Sequence, residues 1–460
     1  MAGVFKAYDV RGIYPDTVDE ALAERIGGAF ATLLDEHGAR GPVVVSRDMR
    51  PHSVPLLAAL VDGLRATGRD VVDVGLATTP MSYFAVGHLG AAGGVQVTAS
   101  HNPARYNGFK FSLEQARPVS GDDGIPRIEQ LATGSEAPSP ASRRGSLDQR
   151  PIFDAYAEHL LGPACGIDVA AIAAARLRVA VDVANGMGAL YAPLLERVGI
   201  ELLPLYFELD GTFPNHEANP LKLENLRDVR AAVTESSAHL GVAFDGDADR
   251  AAFVDEQARP IGSDLATALI GGAKLQRGNR AVERGSKAVV YDVRSSRAVP
   301  EYIRECGGEP VQERVGHSFI KATLRRLDGV FGGELAGHYY FPETYFADSS
   351  MLAVLEVLQL LARHGKPTSA LVAPLRRYAK SEEINFEVED KDGAMRELVE
   401  RYAAGRLDRI DGIRIDFPDW WFNVRPSNTE PLLRLVLEAS TPELLEEKQD
   451  ELVTLLGEPV

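Results

Sequence analysis

The chain is poor in the residues that staple or anchor a protein: 460 residues contain two cysteines, two tryptophans and six methionines. Cys165 and Cys306 make no disulfide framework and lie in no CxxC. They suit a reducing compartment and read as small apolar side chains. No apolar run approaches the roughly 18 residues of a membrane span, and the opening MAGVFKAYDVRG lacks the apolar stretch of a secretory signal. The expectation is a cytoplasmic protein without a membrane partner. Positive charge is also in deficit, with 49 Lys+Arg against 66 Asp+Glu and a net charge of −17. That balance argues against nucleic acid or anionic lipid as partner, while leaving room for a locally basic pocket. A hydrophobic fraction of 45% with 25% charged residues excludes a disordered chain. At about 150 residues per domain, the length points to about three domains.

What is present is a repeated layout. VVVSRD (43–48), VAVDVANGMGALYAPLLERVG (179–199) and AVVYDVRSSRAVPEYIRECGG (288–308) each begin as a buried strand. Helical periodicity after such strands indicates parallel βαβ units. Each is followed by a second apolar strand opening into a polar loop: GVQVTASHNP (94–103), GVAFDGDADR (241–250) and GVFGGELAGHYYF (329–341). The spacing is that of domains rather than of a solenoid. Loops at the carboxyl ends of strands carry the ligand site in open α/β sheets, so three of them are expected to converge on one cleft. TGSEAPSPASRRGS (133–146) reads as a boundary or surface loop, and composition changes again after MLAVLEVLQLLARHG (351–365). From about 371, INFEV, IRIDF and LLRLVLE look like antiparallel strands among helical patterns, a separate α+β domain.

Four loops have the residue types for chemistry. DGDADR sets Asp245, Asp247 and Asp249 at alternate positions, and carboxylates so close call for a hard cation such as Mg²⁺ or Ca²⁺. An EF-hand is excluded because Arg250 stands where its sixth position needs Gly, although Glu256 falls at the twelfth. TASHNP presents Ser100 beside His101 and Asn102, with Lys110 ten residues on. Neighbouring side chains of an extended segment face opposite ways, so a local Ser100–His101 hydrolase pair is not expected. A hydroxyl near a metal and cations suits a phosphoryl carrier, since phosphoserine brings nearly two negative charges. RPSNTEP offers Arg425 for bidentate phosphate binding with Ser427, Asn428 and Thr429 as further donors. GGELAGH adds Glu334 and His338, suited to sugar hydroxyls; Arg11 in YDVRG and His317 in VGHS are isolated candidates. Each has a plainer reading when taken singly: a solvated acidic turn, a turn serine, an Asx-capped Arg–Pro turn, a buried carboxylate–imidazole pair.

In chain order, FKAYDVRG, TASHNP with YNGFK, DGTFPNH, DGDADR, VGHSFIK, GELAGH and RPSNTEP together resemble the α-D-phosphohexomutase family, in its bacterial phosphomannomutase/phosphoglucomutase branch. The resemblance covers essentially the whole chain. It implies three related α/β domains with mixed, mainly parallel sheets and a smaller C-terminal α+β domain around one central cleft. The boundaries expected are 1–147, 148–257, 258–370 and 371–460. By this likeness Ser100 is the phosphorylated serine, and Asp245, Asp247 and Asp249 hold Mg²⁺, completed by an oxygen of the Ser100 phosphate. Glu334, Ala336 and His338 form the sugar-recognition loop, and Arg425, Ser427, Asn428 and Thr429 the phosphate clamp. Tyr8, Arg11, His101, Lys110, Arg250, Arg294 and His317 take cleft positions.

The implied reaction interconverts hexose 1-phosphate and hexose 6-phosphate, of mannose or glucose, through a hexose 1,6-bisphosphate that also serves as activator. The partners are then small hexose phosphates. Lys110 is the expected proton acceptor, its pKa depressed by Arg11 and Arg250. The alternatives are a phosphoglucosamine mutase, a silent sugar-phosphate sensor, and a phosphatase with Asp245 as nucleophile. Two departures stand out: Ala336 replaces the serine usual in the family loop, and Arg294 stands where relatives often have lysine.

Overall fold

The computed structural model describes residues 3–119, 124–134, 141–278, 280–427 and 432–460. They form two compact units, one of residues 1–262 with 336–369 and one of residues 263–335 with 370–460.

The first sheet of the first unit contains β1 (Asp9–Ile13), β2 (Val43–Arg47), β3 (Val71–Leu76), β4 (Gly93–Val97), β5 (Tyr106–Leu113) and β6 (Leu147–Gln149), in spatial order β1-β5-β4-β2-β3-β6. β2 lies parallel to both β3 and β4, while β5 runs antiparallel to β4 and β1. Val43, Val44 and Val45 are fully buried, as a strand covered on both faces requires. Helices α1 (Glu20–Glu36) and α2 (Ser53–Ala66) pack with backbones in contact. A Cβ at Gly27 would lie 2.2 Å from the Leu60 carbonyl, and one at Gly63 1.9 Å from that of Glu24. Helix α3 (Thr79–His88) starts at Thr78, whose Oγ1 accepts from Met81 N at 3.2 Å.

The second sheet comprises β7 (Arg178–Asp182), β8 (Glu201–Leu205), β9 (Leu240–Phe244), β10 (Ala251–Asp255) and β11 (Pro260–Ile261), in order β11-β10-β9-β7-β8. β7 is parallel to β8 and β9, and β10 turns back antiparallel to β9. In the second unit β12 (Ala288–Asp292) lies parallel to β13 (Glu309–Glu313) and β14 (Phe331–Gly333). The repeated layout is therefore real: the first and second strands of each repeat are parallel neighbours, in register Val43↔Gly93, Val179↔Leu240 and Val289↔Phe331. The three polar loops leave the carboxyl ends of β4, β9 and β14.

Residues after β14 return to the first unit as an antiparallel pair, β15 (Tyr339–Phe341) with β16 (Ala347–Asp348), and the helix Ser350–His364. The C-terminal part adds β17 (Ala379–Lys380), β18 (Ile384–Phe386), β19 (Arg406–Asp408), β20 (Ile413–Asp416), β21 (Trp420–Pro426) and β22 (Leu433–Ala439), all antiparallel. INFEV, IRIDF and LLRLVLE are strands β18, β20 and β22, as their alternation predicts, with helices Lys391–Arg401 and Pro442–Leu456 beside them. Both cysteines are free thiols. No helix among the described residues is long and apolar enough to cross a membrane.

Candidate active site

The site of the first unit is built where the loops after β4 and β9 meet. Ser100 is fully buried and holds φ 51°, the left-handed region that a serine adopts only when its surroundings enforce it. Its N–H donates to Thr98 Oγ1 at 2.9 Å, and its Oγ donates to Asp245 Oδ2 at 2.8 Å. The two loops approach backbone to backbone, since a Cβ at Gly246 would lie 2.4 Å from the Ser100 carbonyl oxygen. Ala248, also in the left-handed region at φ 55°, completes the curl of DGDADR.

Asp245, Asp247 and Asp249 are buried, with one oxygen of each within 4.8 Å of the others. Like charges about 4 Å apart repel by about 4 kcal/mol at an effective dielectric near 20, so the cluster needs cations. Lys110 Nζ supplies one, donating to Asp247 Oδ2 at 2.7 Å and Asp249 Oδ2 at 2.5 Å. Thr79 Oγ1 donates to Asp247 Oδ2 at 2.6 Å, and His338 Nε2 lies 3.3 Å from Asp249 Oδ1. Burial and its two acidic neighbours push the Asp245 carboxyl well above the ordinary range. Burial opposes ionisation of Asp249 too, but Lys110 and His338 outweigh it and hold that group well below its usual value. Asp247 Oδ1 is buried and accepts no hydrogen bond among the described residues. Oxygen donors alone, one of them unengaged, fit a hard divalent cation of the Mg²⁺ type.

Two expectations need correction. The Ser100 Oγ lies 3.2 Å from His101 Nδ1, so the two side chains share a side. The positive φ at Ser100 breaks the alternation that an extended segment would impose. This is no hydrolase pair, however: Arg250 Nη2 donates to His101 Nδ1 at 2.8 Å, and burial followed by Arg250, Arg11 and Lys110 keeps the imidazole neutral. The second correction concerns Lys110. Burial and Arg11 do oppose its charge, but Asp247 and Asp249 prevail and raise its pKa above the ordinary lysine value.

Of the other candidates in this unit, Arg11 reaches the serine loop, donating to Asn102 Oδ1 at 2.5 Å and, from Nε, to Asp9 Oδ2 at 2.7 Å. Tyr8 is half-buried and directly precedes β1. Arg250 and His338 form an antiparallel bridge, and Ala251 N donates to Gly337 O at 3.1 Å, which joins residues 336–338 to the metal-type loop. Glu256 accepts from Ser369 N at 2.9 Å, far from any EF-hand role.

The second unit holds an arginine cluster. Arg425 lies in β21 opposite Arg434 of β22. Glu383 joins them: its Oε2 accepts from Arg425 Nη2 at 3.0 Å and Arg294 Nη1 at 3.3 Å, and its Oε1 from Arg434 Nη1 at 2.9 Å. Arg294 is further held by Asp292 Oδ2 at 2.8 Å. Burial disfavours the Glu383 carboxylate, but the three guanidiniums outweigh it and lower its pKa; burial together with Arg294 lowers that of Arg425. The Arg425 Nε has no acceptor among the described residues. Asp411 accepts from Val315 N at 3.0 Å, anchoring the segment in which Gly316, at φ 136°, starts the helix of His317. Buried Glu334 interacts electrostatically with Arg294. Ser427 N donates to Leu432 O at 2.8 Å; Asn428 and Thr429 lie outside the described residues.

Sequence reading missed Thr79, Glu383, Arg434 and Asp411. Only Thr79 carried a signal, the Thr-Thr-Pro start of a helix at 78–80.

Fold and sites together define a phosphosugar-handling α/β protein. The chain belongs to the phosphoglucomutase/phosphomannomutase family: alpha/beta/alpha domains I, II and III match residues 2–138, 154–259 and 263–378, and the C-terminal domain matches 383–455. It is 41% identical over 459 residues to the phosphohexose mutases of Xanthomonas campestris pv. campestris strain B100, covering 98% of each chain. It is 36% identical over 465 residues to the phosphomannomutase of Escherichia coli K12, covering 99% of each. A solved phosphoglucomutase/phosphomannomutase family protein from Burkholderia thailandensis superposes with a TM-score of 0.87 at 33% identity, over 98% of this chain and 96% of that one.

Proposed function

We propose that this hexose phosphate mutase works through a phosphoserine at Ser100, with mannose and glucose phosphates as its substrates. The observation that carries the reading is the 2.8 Å hydrogen bond from Ser100 Oγ to a buried carboxylate cluster in which Asp247 Oδ1 has no hydrogen-bond partner among the described residues. Asp245, Asp247 and Asp249 would hold Mg²⁺ together with an oxygen of the Ser100 phosphate. When bound, the ion offsets negative charge at the transferring group. In the first half-reaction the Oγ–P bond of phosphoserine breaks as O6 of a hexose 1-phosphate bonds to phosphorus, and the loss of the O6 proton is balanced by protonation of the departing Ser100 Oγ. The hexose 1,6-bisphosphate turns around, and its 1-phosphoryl group passes back to Ser100, leaving hexose 6-phosphate.

Lys110 and Arg250 supply positive charge beside Ser100 in this scheme, and Arg11 keeps the 99–102 turn in place. Lys110 contributes through its contacts with Asp247 and Asp249. Arg425 and Arg294, with Ser427, Asn428, Thr429 and His317, bind the phosphate that is not transferred. Glu334 and His338 bind sugar hydroxyls, and Ala336 removes a hydroxyl from that loop. The four domain segments are 1–147, 148–257, 258–370 and 371–460, and the enzyme is cytoplasmic. The phosphatase reading is disfavoured because the similar relatives are named phosphohexose mutase and phosphomannomutase.

A ³¹P NMR time course tests the reading, with Mg²⁺, a trace of glucose 1,6-bisphosphate, and glucose, mannose or glucosamine 1-phosphate in separate tubes. Conversion of the glucose and mannose compounds to 6-phosphates without inorganic phosphate is expected. Free phosphate means a phosphatase, turnover of glucosamine 1-phosphate alone a different sugar, and no change a sensor.

A further inference from the structure

Between β2 and α2, in RDMRP, stands an arginine that belongs to none of the groups described so far. Arg50 is fully buried. Its Nη2 donates to the carbonyls of Ser100 at 3.0 Å and Asn102 at 2.6 Å, and its Nη1 to those of Pro103 at 3.0 Å and Tyr106 at 3.2 Å. Its Nε donates to Asp48 Oδ2 at 3.2 Å. A guanidinium has five N–H groups, and all five are engaged. Asp48 balances the charge, and its Oδ1 accepts from Arg50 N at 3.0 Å and Ser53 Oγ at 2.6 Å.

Four carbonyls of one turn therefore converge on a single cation. Without it the carbonyls of Ser100 and Asn102 would lose their Arg50 donor, the Pro103 carbonyl would keep only Tyr106 N, and the left-handed conformation of Ser100 would lose support. The DGTFPNH stretch closes the cage. The Phe213 ring centroid lies 4.9 Å from the Arg50 Cζ, and a Cβ at Gly211 would fall 2.6 Å from the Arg50 Cα.

We propose that Arg50 is a positioning residue for phosphoryl transfer. By gathering the carbonyls of Ser100, Asn102, Pro103 and Tyr106, it fixes the direction in which the Ser100 Oγ meets the reacting phosphorus, and Gly211 and Phe213 keep it dry and in place. The proposal rests on Ser100 being the phosphoryl carrier. Lysine at position 50 would keep the charge but offers three donors on one nitrogen, which cannot span four carbonyls.

The experiment is steady-state kinetics of Arg50→Lys at 25 °C with glucose 1-phosphate, alongside circular dichroism and a thermal melt. A misplacement of about 1 Å costs a rate factor of about 100, so kcat is expected to fall by about that much with KM within threefold of wild type. A role confined to stability would lower the melting temperature and leave kcat of the folded variant intact, and that result overturns the proposal. So does a KM that rises as much as kcat falls. Where Arg50→Lys does not fold, Phe213→Ala decides: kcat is expected to fall about tenfold at constant KM as water reaches the guanidinium, and an unchanged kcat overturns the proposal. Peptide mapping of the active wild-type enzyme separates the two readings. Turnover without phosphate on Ser100 removes the carrier assignment and this proposal with it, whereas phosphate on Ser100 with wild-type kcat in folded Arg50→Lys removes the role of Arg50 alone.

Discussion

The two units concentrate charge of opposite sign. The first buries Asp245, Asp247 and Asp249 beside Lys110 and Arg250; the second gathers Arg294, Arg425 and Arg434 around Glu383, with Asp292 also on Arg294. In each, shared counter-ions keep together groups that would repel, at a cost that a ligand of the right sign can relieve. On the proposed reading the carboxylates of the first cluster take a cation and the guanidiniums of the second a phosphate. Chemistry and anchoring are thus separable, and substitutions in the two clusters should affect different constants.

Ser100→Ala gives the largest effect. Removing the phosphoryl carrier should lower kcat by at least about 10⁴-fold, read by a coupled hexose 6-phosphate assay. A loss confined to KM would break the contrast. Asp247→Asn comes next: removing one of three carboxylates should weaken Mg²⁺ binding about 100-fold by isothermal titration calorimetry, independently of turnover. Arg425→Lys keeps the charge and loses the fork, so KM should rise about tenfold with kcat within threefold. A fall in kcat alone would place Arg425 with the chemistry.

Glu383→Gln is the mildest. It removes the carboxylate that competes for the guanidiniums, and inhibition by inorganic phosphate should tighten about two- to fivefold. Because the folded carboxyl titrates below its ordinary value of 4.5, its stabilising effect is present above that value and lost as pH falls through the lower folded pKa. The wild-type advantage in melting temperature over Glu383→Gln at pH 6 should therefore shrink below pH 4.5. An advantage that grows on acidification would contradict the sign.

The same contrast explains what could be read before the structure. DGDADR is contiguous, so alternate carboxylates after an apolar strand were visible as a cation site. The repeated domains were visible because doubly covered parallel strands must be Val- and Ala-rich. Glu383 in SEEINF looks like any surface carboxylate, and only the fold brings Arg294, Arg425 and Arg434 to it. The Ser100–His101 geometry is not visible in the sequence because the Ser100 carbonyl is held by the guanidinium of Arg50, remote in sequence. The sign of the Lys110 shift was misread because Arg11 and Arg250 were weighed and the two carboxylates that its Nζ touches were not.

The most direct test labels the enzyme with ³²P-glucose 1,6-bisphosphate, quenches it and maps the labelled peptide. The label should sit on Ser100 as an acid-stable phosphoester and chase into mannose 6-phosphate when unlabelled mannose 1-phosphate is added. A hydroxylamine-labile label on Asp245, or turnover with no label on the protein, would contradict the account.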